Sequence, residues 1–418
     1  GSPELPRLLV PFLSHEHPPV RYWSATLYGR LPNADLTQLG RRLRDEPRPM
    51  VREGVSAALL SRSNAIGADF FKAFWTDTNV AVRAEAFTAV AIKPGATDPL
   101  IAELEEACTQ GGIPVRYALA SHLQMMTDAM AQRLAHILVK DDHASIRSAV
   151  ARAIGAREKH DLLQLLPDLA KDRDADVRQQ AAASLGKFPT EVSRRILLEQ
   201  IGDKRNLVRI QAEQSLVLIA TGIAVPAAAA TKLAADNADI RYHACRVLGH
   251  LEAKEYSKQV FTCLGRETRP KNVGSVIFAL GQFKATFATD RVAALATHGA
   301  PEIREQVGAA LGRLNVPKTY EIIKTLAFDK TSPETRLAAI RAMGIIGDGN
   351  AFNETLLKLL KSVTGHISGA DRAMACWSIG RARPVSIPLM ERLVLQATTP
   401  VIPADGMKEF EEDAVLAS

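Results

Sequence analysis

Val177-Arg178-Gln179-Gln180-Ala181-Ala182-Ala183-Ser184-Leu185-Gly186 is the stretch on which the fold turns. An apolar residue precedes an arginine, a small residue follows three places on, and an apolar-glycine pair closes the phrase. The phrase returns as Ile240-Arg241, Ala244 and Leu248-Gly249, and again as Ile303-Arg304, Val307 and Leu311-Gly312. Its arginine falls at Arg21, Arg52, Arg83, Arg116, Arg147, Arg178, Arg209, Arg241, Arg304, Arg336 and Arg372, with Val273 in the one remaining slot. Successive spacings run from 31 to 33 residues, apart from a last step of 36. Twelve units therefore cover the chain from Leu5 to about Arg383. A period of this length, held this long, is the mark of a repeat architecture.

Each unit has room for two helices. In the sixth, Asp161–Leu169 carries an apolar stripe, Asp172-Arg173-Asp174-Ala175-Asp176 is a polar turn, and Val177–Leu185 forms the second helix. Gly186 stands where a C-cap glycine is expected. No alternating strand pattern of useful length competes. One such hairpin cannot bury its own apolar face, but stacked neighbours can. The expected fold is all-α: an α-solenoid, a right-handed superhelix of stacked helical hairpins with about twelve repeats. The array is expected over residues 1–385. A degenerate C-terminal cap with an acidic tail is expected over 386–418.

Two columns of the repeat belong in the core. Three places after the arginine stand small or apolar residues, such as Ala181, Ala212, Ala244 and Val307. Seven places after it stand larger ones, such as Leu185, Leu216, Leu248 and Leu311. They are one helical turn apart and share a face. An acid about six residues before the arginine (Asp77, Asp141, Asp172, Asp203) can cap the second helix and pair with an arginine of its own or the next unit. The arginine recurs in units whose surfaces otherwise differ. A structural ladder is therefore the stronger reading, and an anion-binding ladder the weaker.

The phrase Asp-x4–5-Val/Ile-Arg-x2-Ala-x3-Leu-Gly resembles the HEAT family, in particular the short HEAT-like repeats of about 31 residues in phycobilisome-lyase-type proteins. The resemblance covers over nine tenths of the chain. It implies a curved scaffold that holds a partner along its inner face, and it says little about which partner.

Composition narrows the rest. The 418 residues hold 52 Lys plus Arg against 46 Asp plus Glu, a net of +6 that falls short of a dedicated nucleic-acid binder. Cys108, Cys245, Cys263 and Cys376 are far apart in sequence and form no CxxC, which excludes a disulfide scaffold and a cysteine-based zinc module. No run of 18 apolar residues exists to span a membrane. No signal peptide is visible. The start Gly1-Ser2 reads as a cloning scar on a fragment or mature form, and the compartment stays open.

If the common residues explain the fold, the exceptions carry the function. Arg269-Pro270-Lys271-Asn272-Val273-Gly274 lacks the arginine and puts a proline before the helix. Ser362–Gly369 lengthens one turn, read either as a tolerated insertion or as a binding loop. On the second helices, places two, five and nine after the arginine are expected to face outward. Place five holds Arg152, Arg246, Phe278, Arg341 and Trp377. Place nine holds Arg30, Lys187, His250, Gln282, Arg313 and Arg381. Place two adds Trp23, His243 and Gln306. Residues 1–209 hold 28 basic and 25 acidic residues, whereas 210–404 hold 23 and 16, and 405–418 hold one lysine and five acids. The stripe reads either as a groove for an acidic partner or as an ordinary solvated face. The segment Lys408-Glu409-Phe410-Glu411-Glu412-Asp413 reads as a terminal cap, following a helix at Ile387–Gln396.

Catalytic chemistry is hard to find. His15-Glu16-His17 is the one dense His/Glu cluster. The HEAT-like deoxyhypusine hydroxylases hold iron on several His-Glu pairs, and a single pair does not support that activity. No HExxH, phosphate-binding loop or Gly-x-Ser-x-Gly occurs. His243, Cys245 and His250 share a helix but make a poor metal site. The HEAT-like alkyl-base DNA glycosylases grip duplex with a basic, aromatic-bearing face, which Tyr22, Trp23 and Trp377 resemble in kind. Val20-Arg21-Tyr22-Trp23 is similar to the opening HEAT unit appended to some secreted sulfatases. The expectation is a non-enzymatic scaffold or adaptor with no cofactor and no metal, binding a protein or acidic peptide. A nucleic-acid partner and an accessory region of a sulfatase-like enzyme are the alternatives. The expected contacts are Trp23, Arg152, His243, Arg246, His250, Phe278, Arg341, Trp377 and Arg381, with aromatics as anchors and arginines as anion partners.

Overall fold

In a computed structural model, every arginine slot of the repeat lies on an α-helix. The structure describes residues 4–391 except 63, 64, 94, 96, 97, 158, 221–223 and 363–365. Part of the loop at Ser362–Gly369, the end of the helix expected to Gln396 and the acidic segment Lys408–Asp413 fall outside the described residues. The twelve second helices are α1 (Pro18–Arg30), α2 (Pro49–Leu60), α3 (Val80–Ala91), α4 (Ile113–Ser121), α5 (Ala144–Ala156), α6 (Ala175–Leu185), α7 (Asn206–Ile219), α8 (Ala238–His250), α9 (Pro270–Gln282), α10 (Pro301–Leu314), α11 (Pro333–Ile346) and α12 (Gly369–Arg381). Among the described residues there is no strand, only one isolated bridge between Asp348 and Arg383. The chain is an α-solenoid. It divides into two compact units, Gly1–Gln200 and Ile201–Ser418.

The first helix of each hairpin is often short. In the sixth unit it is a 3-10 turn, Leu163–Leu165, running into Leu166–Leu169. The second helices carry the stack, each packing on the next within its unit of the fold. Every residue of the two apolar columns is buried, from Ser24 and Tyr28 to Ala375 and Ile379. Burying a Leu or Val side chain contributes about 1.5–3 kcal/mol relative to leaving it exposed, so these columns dominate the stack's stability.

The glycine after the apolar column has a different reason from the one expected. Gly186 does occupy the C-cap of α6, but with φ −64°, where any residue is at ease. Close approach explains the repeated glycine instead. A Cβ on Gly312 would lie 2.5 Å from the Ala342 Cβ, and one on Gly29 would lie 2.5 Å from the Ala58 Cβ. In the last second helix, Gly380 meets nothing within 4 Å.

The arginines form a ladder along the turns. Arg147 sends Nε and one NH2 to the carboxylate of Asp172, 25 residues on, at 2.7 and 2.8 Å. Its other NH2 donates to the carbonyls of Asp141 and Asp142 in its own turn. Arg21–Glu46, Arg52–Asp77, Arg116–Asp141 and Arg304–Asp329 repeat the inter-unit pair at the same separation. Arg209–Asp239, Arg241–Glu267 and Arg336–Asp371 extend it at separations of 30, 26 and 35. The turn acid, expected to cap the second helix, is not its N-cap. Asp172 accepts the Asp174 N–H within the turn, and Asp174 caps α6. Where Val273 replaces the arginine, the turn 25 residues on offers His298 rather than an acid, so neither partner is left buried alone. Pro270 opens α9, where its missing N–H costs nothing.

Candidate functional site

The outward face of α8–α12, all within the second compact unit, holds the site. Tyr242 and Arg246 of α8, Phe278 of α9, Glu305 and Arg313 of α10, and Arg341 of α11 line two adjoining hollows of 140 and 460 Å³. The larger lies within the range of ligand-binding clefts. Of the expected contacts, Arg246, Phe278 and Arg341 line this groove together. His250 lies beside it, with its ring centroid 4.9 Å from that of Phe278 and Nε2 3.3 Å from an Arg246 NH2. Burial and the Arg246 charge pull the His250 pKa below its ordinary value.

Trp377 and Arg381 sit on α12, whose Met374 lines the groove. The Arg381 guanidinium stacks 5.2 Å over the Trp377 ring. Trp377 needs Gly344 beneath it, because a Cβ there would come within 2.6 Å of the indole. Phe278 rests on Gly249 in the same way. The packing glycines of the stack thus also seat the aromatics.

Three expectations change. His243 does not face outward. It is 1% exposed, and its Nδ1 lies 2.6 Å from Glu213. At two places after the arginine, the helix has turned this side chain into the neighbouring helix rather than toward solvent. Glu213 also accepts from the Arg246 Nε at 2.6 Å. His243 and Glu213 therefore position Arg246, which in turn stacks over Phe278 and Tyr242 at 5.4 and 5.8 Å. Trp23 is exposed and Arg152 is exposed, but both stand in the first compact unit and neither lines this groove.

The face is also not uniformly basic. Glu302, Glu305 and Glu334 line it with the arginines. These acids occupy places before and just after the repeat arginine, columns that the search at places two, five and nine passes over. Lys271, Tyr242 and Leu337 belong to the same columns, whereas Met374 stands at place two but is neither a cation nor an aromatic.

The four cysteines are buried. The fold brings Cys245 and Cys263, 18 residues apart in sequence, into hydrogen-bonding contact inside the core, and this contact together with burial pushes the Cys245 thiol well up. Burial pushes Cys108 up to about 12. Among the described residues no three His, Cys, Asp or Glu side chains gather in a way that could hold a metal ion. No described helix is long and apolar enough to cross a membrane.

A family model of HEAT repeats matches residues 131–217 and 288–380. These two regions carry HEAT repeats. Among solved structures, the karyopherin Kap121p bound to the SUMO protease Ulp1p is similar with a TM-score of 0.66 and 14% identity, over 98% of this chain and 55% of that one. Kap121p bound to Pho4p gives 0.65 and 13%, over 99% and 54%. The HEAT-repeat chain spans about half the length of those karyopherin chains, and at such identity the likeness is one of fold. The complex of CpcE and CpcF of phycocyanin lyase from Nostoc matches at a TM-score of 0.40 and 17% identity, over 56% of this chain and 92% of that one. Among curated proteins, none matches.

Proposed function

We propose that this HEAT-repeat chain is a non-catalytic scaffold or adaptor that holds a protein partner on the outward face of α8–α12. One observation carries the reading. Arg313 and Arg341 line a groove of 460 Å³ without an ion-pair partner among the described residues, although the same fold gives most of its turn arginines a carboxylate. Aromatic and arginine side chains gathered in one groove are the usual anchors of an interface. The structures of similar fold include Kap121p with Pho4p, with Ulp1p and with the extreme C-terminus of Cdc14p, which are protein partners of that karyopherin.

Glu302, Glu305 and Glu334 in the same groove would repel a phosphate backbone, which weighs against the nucleic-acid reading. The test is affinity capture from a lysate with the wild type and with Arg313→Glu/Arg341→Glu/Arg381→Glu, followed by mass spectrometry. Arg246 is left intact because its charge reversal would set a second carboxylate against buried Glu213. Proteins retained by the wild type and lost by the variant, at unchanged helicity, are expected. Identical retention overturns the reading. Duplex binding that falls steeply between about 50 and 200 mM salt would favour nucleic acid instead.

A further inference from the structure

Charge without an ion-pair partner is sorted along α10 and α11, and this deepens the reading above while resting on it; Lys271 and Arg246 in the adjoining hollow are paired with Asp239 and Glu213. Glu302 and Glu305 sit in the first half of α10, and Glu334 opens α11. Arg313 and Arg341 sit in the second halves of the same two helices. Between the two rows lie Phe278, Ala309, Leu337, Ala338 and Met374.

Helix dipoles favour acids near the N-terminus and cations near the C-terminus, which explains where each sign is tolerated. They do not explain the crowding within each row. Burial, then Glu334 and Glu302, push the Glu305 carboxyl above its ordinary range. Burial, then Arg341, pull the Arg313 guanidinium below its own. None of Glu302, Glu305, Glu334, Arg313 and Arg341 has an ion-pair partner among the described residues. The rows make no ion pair with one another among the described residues. Eight residues of helix part Glu305 from Arg313, about 12 Å of backbone at about 1.5 Å per residue.

We propose that the groove takes an extended peptide segment of a partner protein that carries both charge signs. Its basic side chains lie toward Glu305 and Glu334, and its acidic ones toward Arg313 and Arg341. A uniformly acidic segment meets repulsion along one row and a uniformly basic one along the other. Spacing narrows the class further. Second helices held together by Gly–Ala contacts pack about 8–10 Å apart. An extended polyproline-II segment returns to the same face every three residues, about 9 Å at a rise of about 3.1 Å. Charges of like sign therefore recur every third residue of the segment, in step with the helices.

The experiment is selection of a phage-displayed random 12-residue library on the full chain. The selected peptides are then measured by fluorescence anisotropy on wild type, Glu305→Gln/Glu334→Gln and Arg313→Gln/Arg341→Gln. All five groove charges lie on the surface or half-buried, and circular dichroism checks that the variants fold. We expect selected sequences with both signs, like charges three apart, and at least 10-fold weaker binding to each variant. Peptides of a single sign, or peptides insensitive to either variant, overturn the proposal. So does a library with no enrichment. If the capture difference persists in those cases, a protein partner on this face still stands. If capture is also unchanged by charge reversal, both readings fall.

Discussion

Two sets of arginines divide the molecule into regions with opposite electrostatics. Along the turns, Arg147 and Asp172 are 6% and 11% exposed at their side chains and 2.7 Å apart, and neighbouring turns repeat the pair. On the outward face of α8–α12, Arg313 and Arg341 press on each other in a groove and make no ion pair among the described residues. The same side chain serves the stack in one place and leaves charge unspent in the other. A fold that pairs its buried arginines this regularly does not need the second set for stability.

The largest effect should come from the turns. Arg147→Ala leaves the Asp172 carboxylate buried without its partner. Removing one member of a buried pair costs about 3–5 kcal/mol. Arg83 has Cys108 rather than an acid 25 residues on and bonds only turn carbonyls, so Arg83→Ala should cost about 1 kcal/mol. Urea unfolding of the two variants measures the gap, and equal losses would break the distinction between paired and unpaired arginines. The pair is also acid-sensitive. Burial raises the Asp329 carboxyl, but the Arg304 and Thr331 hydrogen bonds outweigh it and bring it to about 2. Its contribution is present above the usual aspartate value and is lost as pH falls toward 2.

Glu85 should behave in the opposite sense. Burial, opposed by a hydrogen bond from Ser56 and aided by the Glu53 charge, lifts its carboxyl to about 7. The folded state therefore holds the proton more tightly than the unfolded chain. Stability falls as pH rises from the ordinary glutamate value to about 7, and is flat above. Glu85→Gln should stabilise by about 2–3 kcal/mol at pH 8 and do nothing near pH 4, as read by unfolding at both pH values. Stabilisation of equal size at both would contradict the assignment.

Smaller effects separate packing glycines from spare ones. Gly312→Ala drives a Cβ into Ala342 and should cost about 1–3 kcal/mol. Gly380→Ala meets nothing within 4 Å and should gain about 0.5–1 kcal/mol through helix propensity. Thermal midpoints moving the same way for both would show that close approach is not the reason for the repeated glycine.

The register of the repeat was readable because two buried columns recur in every unit, and Ala181 and Leu185 mark them as plainly as any pair. The partner of each ladder arginine was readable only as a choice between turns, since separation in sequence does not say which turn a side chain reaches. Gly186 is the C-cap that the sequence suggests, but the close contact that glycines of this column make elsewhere, as at Gly312, shows only once the neighbouring helix is in place. The small residue opposite it, six places after the next arginine (Ala58, Ala310, Ala342, Ser378), was the available signal. His243 was misplaced because a helix face defined by three columns is too coarse to separate an edge position from an outward one. The acids of the groove were missed for the same reason. Glu302, Glu305 and Glu334 stand in columns that a search for cations and aromatics does not visit.

The most direct test of the contrast between the two arginine sets is the urea unfolding free energy of Arg313→Met/Arg341→Met against wild type. On the proposed reading these arginines serve a ligand rather than the stack, so removing their charge should leave stability equal or raise it, through relief of their mutual repulsion. A loss comparable to that of Arg147→Ala would contradict the account and make them part of the fold's own framework.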